Sequence, residues 1–296
     1  MIQKLGYSYN LDAILDLIDT YMPGIRSQCT WGYSTPYFIA GCYSAHVNNI
    51  SYLSSKNGIV SKDIRYILNK IGEQKRKRYD YDLLEKTYAE YLSSGVDDEA
   101  DFQSLKAEFA GKRVILVAPG ATASRYAERI RAEAEDAILV AVNHLPAETD
   151  VDYVFISNSR RYNYWKENSA FAKKPKIFTS NLDFAKNERD HVISYKRLLR
   201  CGWENMDNST ILLLRLLDKL GVKTCGIAGF DGYDVGGDRG NYSQKDMERQ
   251  LTAESATKIN KELGYMLSDF MATRESVERV YFVTPSRFED VVGDKQ

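Results

Sequence analysis

Residues 113–124 read RVILVAPGATAS. An unbroken apolar run rich in β-branched residues, closed by Pro119 and Gly120, predicts a short strand buried on both faces. The chain then passes through a glycine turn into a helix that starts near Ser124. Gly120 lets the backbone come close to a bound anion, and the helix start presents unpaired N–H groups to it.

Downstream the same grammar repeats. Short β-rich runs cover Ala137 to Val142, Tyr153 to Ser157, Lys176 to Ser180, Lys223 to Ala228 and Arg279 to Thr284, each separated from the next by helical or polar text. Apolar strands alternating with helices predict a mostly parallel sheet covered on both faces, a Rossmann-like α/β domain over residues 112–290. No period of 20 to 50 residues recurs, which argues against a repeat architecture.

Upstream the chain reads as helical. Leu11, Ile14, Leu15 and Ile18, and again Ile64, Ile67, Leu68 and Ile71, put an apolar stripe on one helix face. Asn10 can cap the first of these helices, Ser61 opens a later one, and Tyr79-Asp80 marks a break before a helix from about Asp82 to Tyr91. The polar, acidic stretch SSGVDDEAD, Ser93 to Asp101, is the strongest composition shift. It divides the chain into a helical segment (1–95), a linker (96–111) and the sheet domain.

The composition narrows the function. Lys plus Arg number 40 and Asp plus Glu 41, so no whole-protein field recruits nucleic acid or an anionic membrane. The basic run Lys75 to Arg78 reads as a solvated helix end. Cys29, Cys42, Cys201 and Cys225 lie far apart with no C-x-x-C pair, which predicts neither a disulfide framework nor a metal site. The N-terminus has no charged-then-apolar signal pattern and no run approaches the roughly 20 apolar residues of a membrane span. A cytoplasmic protein is expected.

In open α/β sheets, ligands collect beyond the carboxyl ends of the strands. Polar residues stand at these positions: Gly120 and Thr122, Asn143 and His144, Asn158 and Arg161, Asn181, and Asp231 with Tyr233. Asn208 and Ser209 open a further helix, ILLLRLLDKLG, aimed at the same rim. The turn has one glycine where a dinucleotide fingerprint has three, the second strand ends in Asn143 without a ribose-binding carboxylate, and there is no G-x-x-x-x-G-K-[ST]. The asparagines favour recognition of neutral hydrogen-bonding groups, such as a base or sugar hydroxyls, over that of a metal. His144 is the best candidate acid or base and Asp231 the second. His46 reads as a core or interhelical hydrogen-bonding residue on a helix of the N-terminal part, and His191, which begins the run HVISY, as a packing residue. No nucleophile with an adjacent base and no H-E-x-x-H occur.

Two resemblances follow. The stretches WGYSTPYFIAGCYSAHVNNISYL (31–53) and KDIRYILNKI (62–71) resemble the helical carboxyl-terminal section of aldolases of the 4-hydroxy-2-oxovalerate aldolase and HMG-CoA-lyase-like superfamily. In that superfamily a TIM barrel holds the metal with an Asp after its first strand and an H-x-H pair, neither of which occurs here. The resemblance implies the tail of an aldolase-like polypeptide that is not an aldolase alone, its barrel supplied in cis or in trans. The stretches VAPG, AVNH, DYVFISNSRRY, TSN, DNSTILLL and GIAGFDGY resemble the domain that follows such barrels in proteins of bacterial surface-polysaccharide loci.

More distantly, the order of elements is similar to CMP-sialic-acid-dependent sialyltransferases and MptE-like proteins, in which the counterparts of Gly120, Asn143 and Ser209 bind the nucleotide. The histidine that those transferases use as base has no counterpart between Asp234 and Lys261. The resemblance thus implies a nucleotide- or sugar-phosphate-binding domain of surface-carbohydrate synthesis. The alternatives are a glycosyltransferase acting on a nucleotide sugar and a non-catalytic module docking a separately encoded barrel through Trp31, Tyr33, Tyr37 and Phe38.

Overall fold

The computed structural model describes residues 10, 13, 16, 20, 21, 24, 35–56, 59, 61–93, 96–182, 184–200, 203, 207–235, 242 and 251–293. Trp31, Tyr33, Cys29, Cys201 and the apolar stripe from Leu11 to Ile18 lie outside them. Helices α1 (Thr35–Tyr43), α2 (Val47–Ser54), α3 (Ser61–Ile71), α4 (Glu73–Arg76) and α5 (Tyr81–Ser93) come first. Helices α1, α2, α3 and α5 share a core that includes Ile50, Leu53, Ile64, Ile67, Leu68 and Leu84, each at most 2% exposed, whereas α4 buries none of its residues. The stripe read in the sequence of α3 is that core's centre.

Local chemistry sets the helix ends. His46, expected within a helix, is instead the cap of α2: its Nδ1 accepts the Asn48 N–H at 3.2 Å and its ring stacks on Tyr79. The carboxylate of Asp80 accepts the Leu83 N–H at 3.0 Å and fixes the start of α5.

Residues 96–111 are not an open linker. They hold α6 (Glu99–Phe109), whose Phe102, Leu105 and Phe109 enter the core of the sheet domain. The acidic residues that make the stretch look solvated have partners. Asp98 accepts the Ser194 N–H and Asp101 the Val192 N–H, each at 2.8 Å.

The remaining elements are β1 (Arg113–Val117), α7 (Ala121–Arg125), α8 (Ala127–Glu133), β2 (Ala137–Val142), β3 (Tyr153–Ile156), α9 (Ser159–Trp165), α10 (Ser169–Lys173), β4 (Lys176–Thr179), β5 (His191–Ile193), α11 (Tyr195–Leu198), α12 (Ser209–Lys219), β6 (Thr224–Ala228), α13 (Ala253–Thr273), β7 (Arg279–Phe282) and α14 (Glu289–Val292). The seven strands form one all-parallel sheet in the order β5-β4-β3-β2-β1-β6-β7. The fold is α/β and Rossmann-like in topology. His191, expected only to pack, begins β5, the edge strand that the sequence reading lacks.

Helices α7 to α10 supply Ala123, Ile130, Trp165 and Phe171 to the core on one face. Helices α6 and α12 to α14 fill the other with Phe109, Leu213, Leu217, Leu267 and Phe270. From β1 the chain moves one way along the sheet over the first face, and from β6 it moves the other way over the second. Right-handed crossovers require this change of face when the direction reverses. The reversal makes the carboxyl ends of β1 and β6 the switch point of the sheet, where ligands of such folds collect. No helix among the described residues is long and apolar enough to cross a membrane.

Candidate functional site

At the switch point the β1 and β6 loops are in backbone contact. The Ala118 N–H donates to the Ala228 carbonyl at 2.8 Å and the Gly120 N–H to the Gly229 carbonyl at 2.9 Å. A Cβ on Gly120 would stand 2.2 Å from the Gly229 oxygen and 2.7 Å from Cγ of Asp231, so only glycine permits the approach. Gly120 therefore serves the closure between two strands. The helix starts at Ala121, three residues before the expected Ser124, with Gly120 as its cap residue.

Asp231 completes the closure. Its Oδ2 accepts the Thr122 N–H at 2.8 Å and its Oδ1 accepts the Thr122 hydroxyl. The Thr122 hydroxyl also lies 2.9 Å from Thr284 Oγ1, which accepts the Gly229 N–H at 2.9 Å. Hydroxyl directions follow: an ionised carboxylate only accepts, so Thr122 donates to Asp231 and Thr284 donates to Thr122. One hydrogen-bonded chain thus ties the ends of β1, β6 and β7. Burial raises the Asp231 pKa from its ordinary value, opposed by the two Thr122 hydrogen bonds and by Arg125 and Arg287.

A second cluster lies beside it, at the ends of β2 and β3. Asn143 has left-handed backbone, φ 58°, a conformation asparagine tolerates better than most residues. Its Oδ1 accepts the Ser157 N–H at 2.9 Å and its Nδ2 donates to Ser209 Oγ at 2.6 Å. The Ser157 hydroxyl donates to Ser209 Oγ at 2.7 Å. Two strand ends and the start of α12 meet there. Asn208 caps α12 by accepting the Thr210 N–H at 2.8 Å, and Asn158 caps α9 by accepting the Arg161 N–H at 3.1 Å. Asn181 donates to the Ser157 carbonyl at 3.2 Å, and its buried Oδ1 has no hydrogen-bond partner.

A third group is aromatic. The Arg161 guanidinium lies 4.7 Å from the ring centroid of Tyr242, whose hydroxyl is 3.3 Å from that of Tyr233. Asn260 holds Tyr233, accepting its N–H and donating to its carbonyl, both at 2.7 Å.

His144 is at the strand end but beneath the rim. It has no exposed surface, its Nδ1 lies 3.1 Å from the Val142 carbonyl, and its Nε2 has no hydrogen-bond partner. Burial lowers its pKa to about 4; the bond to Val142 works against this and Arg161 with it. It is neutral at physiological pH and, in this conformation, out of contact with anything in solvent.

The sequence reading missed Ser157, Thr284, Asn260, Tyr242 and Arg287. Ser157 and Thr284 carried the same signal as Asn143, a polar residue where an apolar strand ends. The other three depend on long-range packing and left none. Among the described residues no group of three or more His, Cys, Asp or Glu is placed to hold a metal ion. Compared with models of protein families, with curated proteins and with solved structures, the chain matches none.

Proposed function

We propose that the sheet domain binds a nucleotide or sugar phosphate on the β2–β3 side of its rim. One observation carries this: Asn143, in left-handed backbone, holds the Ser157 N–H and the Ser209 hydroxyl, to which the Ser157 hydroxyl also donates, at the mouth of α12. That helix is 11 residues long, and its N-terminus favours a negative group. Arg161 with Tyr242 and Tyr233 supplies a cation and aromatic faces for a base or sugar ring. The resemblance of Gly120, Asn143 and Ser209 to the nucleotide site of sialyltransferase-like proteins supports the same ligand class and a place in surface-carbohydrate synthesis. Catalysis by His144 has less support, because the imidazole has no exposed surface.

The test is calorimetry with CMP, UDP and their sugars. Micromolar binding that Asn143→Ala weakens is expected; binding of no nucleotide overturns the reading. A second reading, a helical segment that docks an aldolase barrel, draws on α1, where Tyr37 is 50% and Phe38 60% exposed. Co-purification with a co-expressed barrel, lost on replacing both by Ser, tests it.

A further inference from the structure

We propose that Asp231 is a specificity residue: its carboxylate keeps phosphate off the first turn and fixes which end of the ligand lies there. The inference rests on the nucleotide reading above. In a Rossmann-like sheet the β1 turn at the switch point is where the anionic part of a ligand is expected. Here that place is taken by the chain itself. Both Asp231 oxygens are on Thr122, one at its amide and one at its hydroxyl. The arrangement is held from three sides. Gly120 allows the loops to touch, Thr284 orients the Thr122 hydroxyl, and Gly232 bends the loop at φ 74°, where a Cβ would meet Arg287 and Asn260 at 2.6 and 2.8 Å. Arg287 Nε donates to the Asp231 carbonyl at 3.1 Å and steadies the backbone that carries the carboxylate.

A phosphate at this turn would compete for a donor already used and would face a like charge. Hydroxyls would not. An ionised carboxylate offers about four lone-pair sites, and Thr122 takes one on each oxygen, so a ligand diol can still donate to it. The ligand is therefore oriented with its phosphates toward Ser209 and an uncharged, hydroxyl-bearing end toward Asp231.

The experiment compares cytidine with CMP, by calorimetry and by the amide shifts of Thr122 and Ser209, in the wild type and in Asp231→Asn. In the wild type CMP should shift the Ser209 amide well beyond what cytidine does, while the two compounds shift that of Thr122 alike, because the same hydroxyl-bearing end lies there in both. In Asp231→Asn the Thr122 shifts of the two compounds should diverge, because phosphate can then approach the first turn. Asp231→Ser makes the same comparison if the asparagine variant does not fold. A wild-type Thr122 shift that CMP causes and cytidine does not, or Thr122 shifts that stay alike for both compounds in a folded variant, overturns the inference and leaves nucleotide binding standing. Binding of neither compound to either protein removes both.

Discussion

The Asp101 carboxylate accepts the backbone N–H of Val192 at 2.8 Å, and by this contact a helix closes the open edge of the sheet. An edge strand presents unpaired N–H groups that invite pairing with other chains. In β5 the outward N–H of Val192 goes to Asp101, and just past its end that of Ser194 goes to Asp98. Lys186 and Arg197 hold the two carboxylates in place at 2.7 and 2.8 Å. Replacing either aspartate by Ala should cost about 1 kcal/mol, the low end of the penalty for a donor left unmade, because Val192 and Ser194 are only half-buried. Urea denaturation measures the loss. Hydrogen exchange should speed up selectively at Val192 and Ser194, and Asp→Asn, which keeps an acceptor, should cost less.

This edge shows how far the sequence was legible. Six strands could be read because each is an apolar run with a polar end, and the stripe of α3 could be read because Ile64, Ile67, Leu68 and Ile71 recur on one face. Strand β5 has three residues, of which only Ile193 is fully buried, and gives no run to recognise. The stretch from Asp97 to Asp101 looked like a linker because acidic residues are usually solvated. Its contrary signal was the spacing of Phe102, Leu105 and Phe109. At the rim the polar residue types were legible, but their partners were not. Nothing local joins Thr122 to Asp231, 109 positions away, or distinguishes a strand-end histidine that faces solvent from one that faces the core.

His144 gives a pH prediction. Its folded pKa, about 4, lies below the ordinary histidine value of 6.5 because burial disfavours the charged ring. The fold therefore binds this proton less readily than the unfolded chain. The resulting stabilisation is present above pH about 6.5, falls as the pH drops toward 4, and is gone below that. The full span is about 3 kcal/mol. Stability measured from pH 7 to pH 4 should decline less steeply in His144→Leu than in the wild type. An imidazole carbon resonance that titrates near 6.5 in the folded protein would show that the ring is solvated.

Two glycines should respond to alanine in opposite directions. Gly120→Ala places a methyl 2.2 Å from the Gly229 carbonyl oxygen, so the β1 and β6 loops must part and the Asp231–Thr122–Thr284 chain must break. A loss of about 3 kcal/mol or more is expected, the range of overpacking plus a disrupted buried network. Gly264 lies within α13, where a Cβ would meet the Phe288 ring at an ordinary 3.9 Å. Gly264→Ala should raise stability by about 0.5–1 kcal/mol through helix propensity. Thermal melts of both variants make the comparison, and equal effects would refute the closed switch point.

Asn143 joins backbone conformation to polar contacts, and two substitutions separate them. Alanine at φ 58° carries a left-handed penalty of about 1–2 kcal/mol, and it also strands the Ser157 N–H and removes the bond to Ser209. Glycine removes the same bonds without the backbone penalty. Asn143→Ala should thus be less stable than Asn143→Gly by about 1 kcal/mol or more. Nucleotide binding should fall alike in both, because it depends on the Ser157 and Ser209 hydroxyls that the amide positions. Chemical denaturation and calorimetry on the pair read the two effects apart. If glycine restores binding while alanine does not, the backbone turn shapes the site and the asparagine amide has no part in positioning the two hydroxyls.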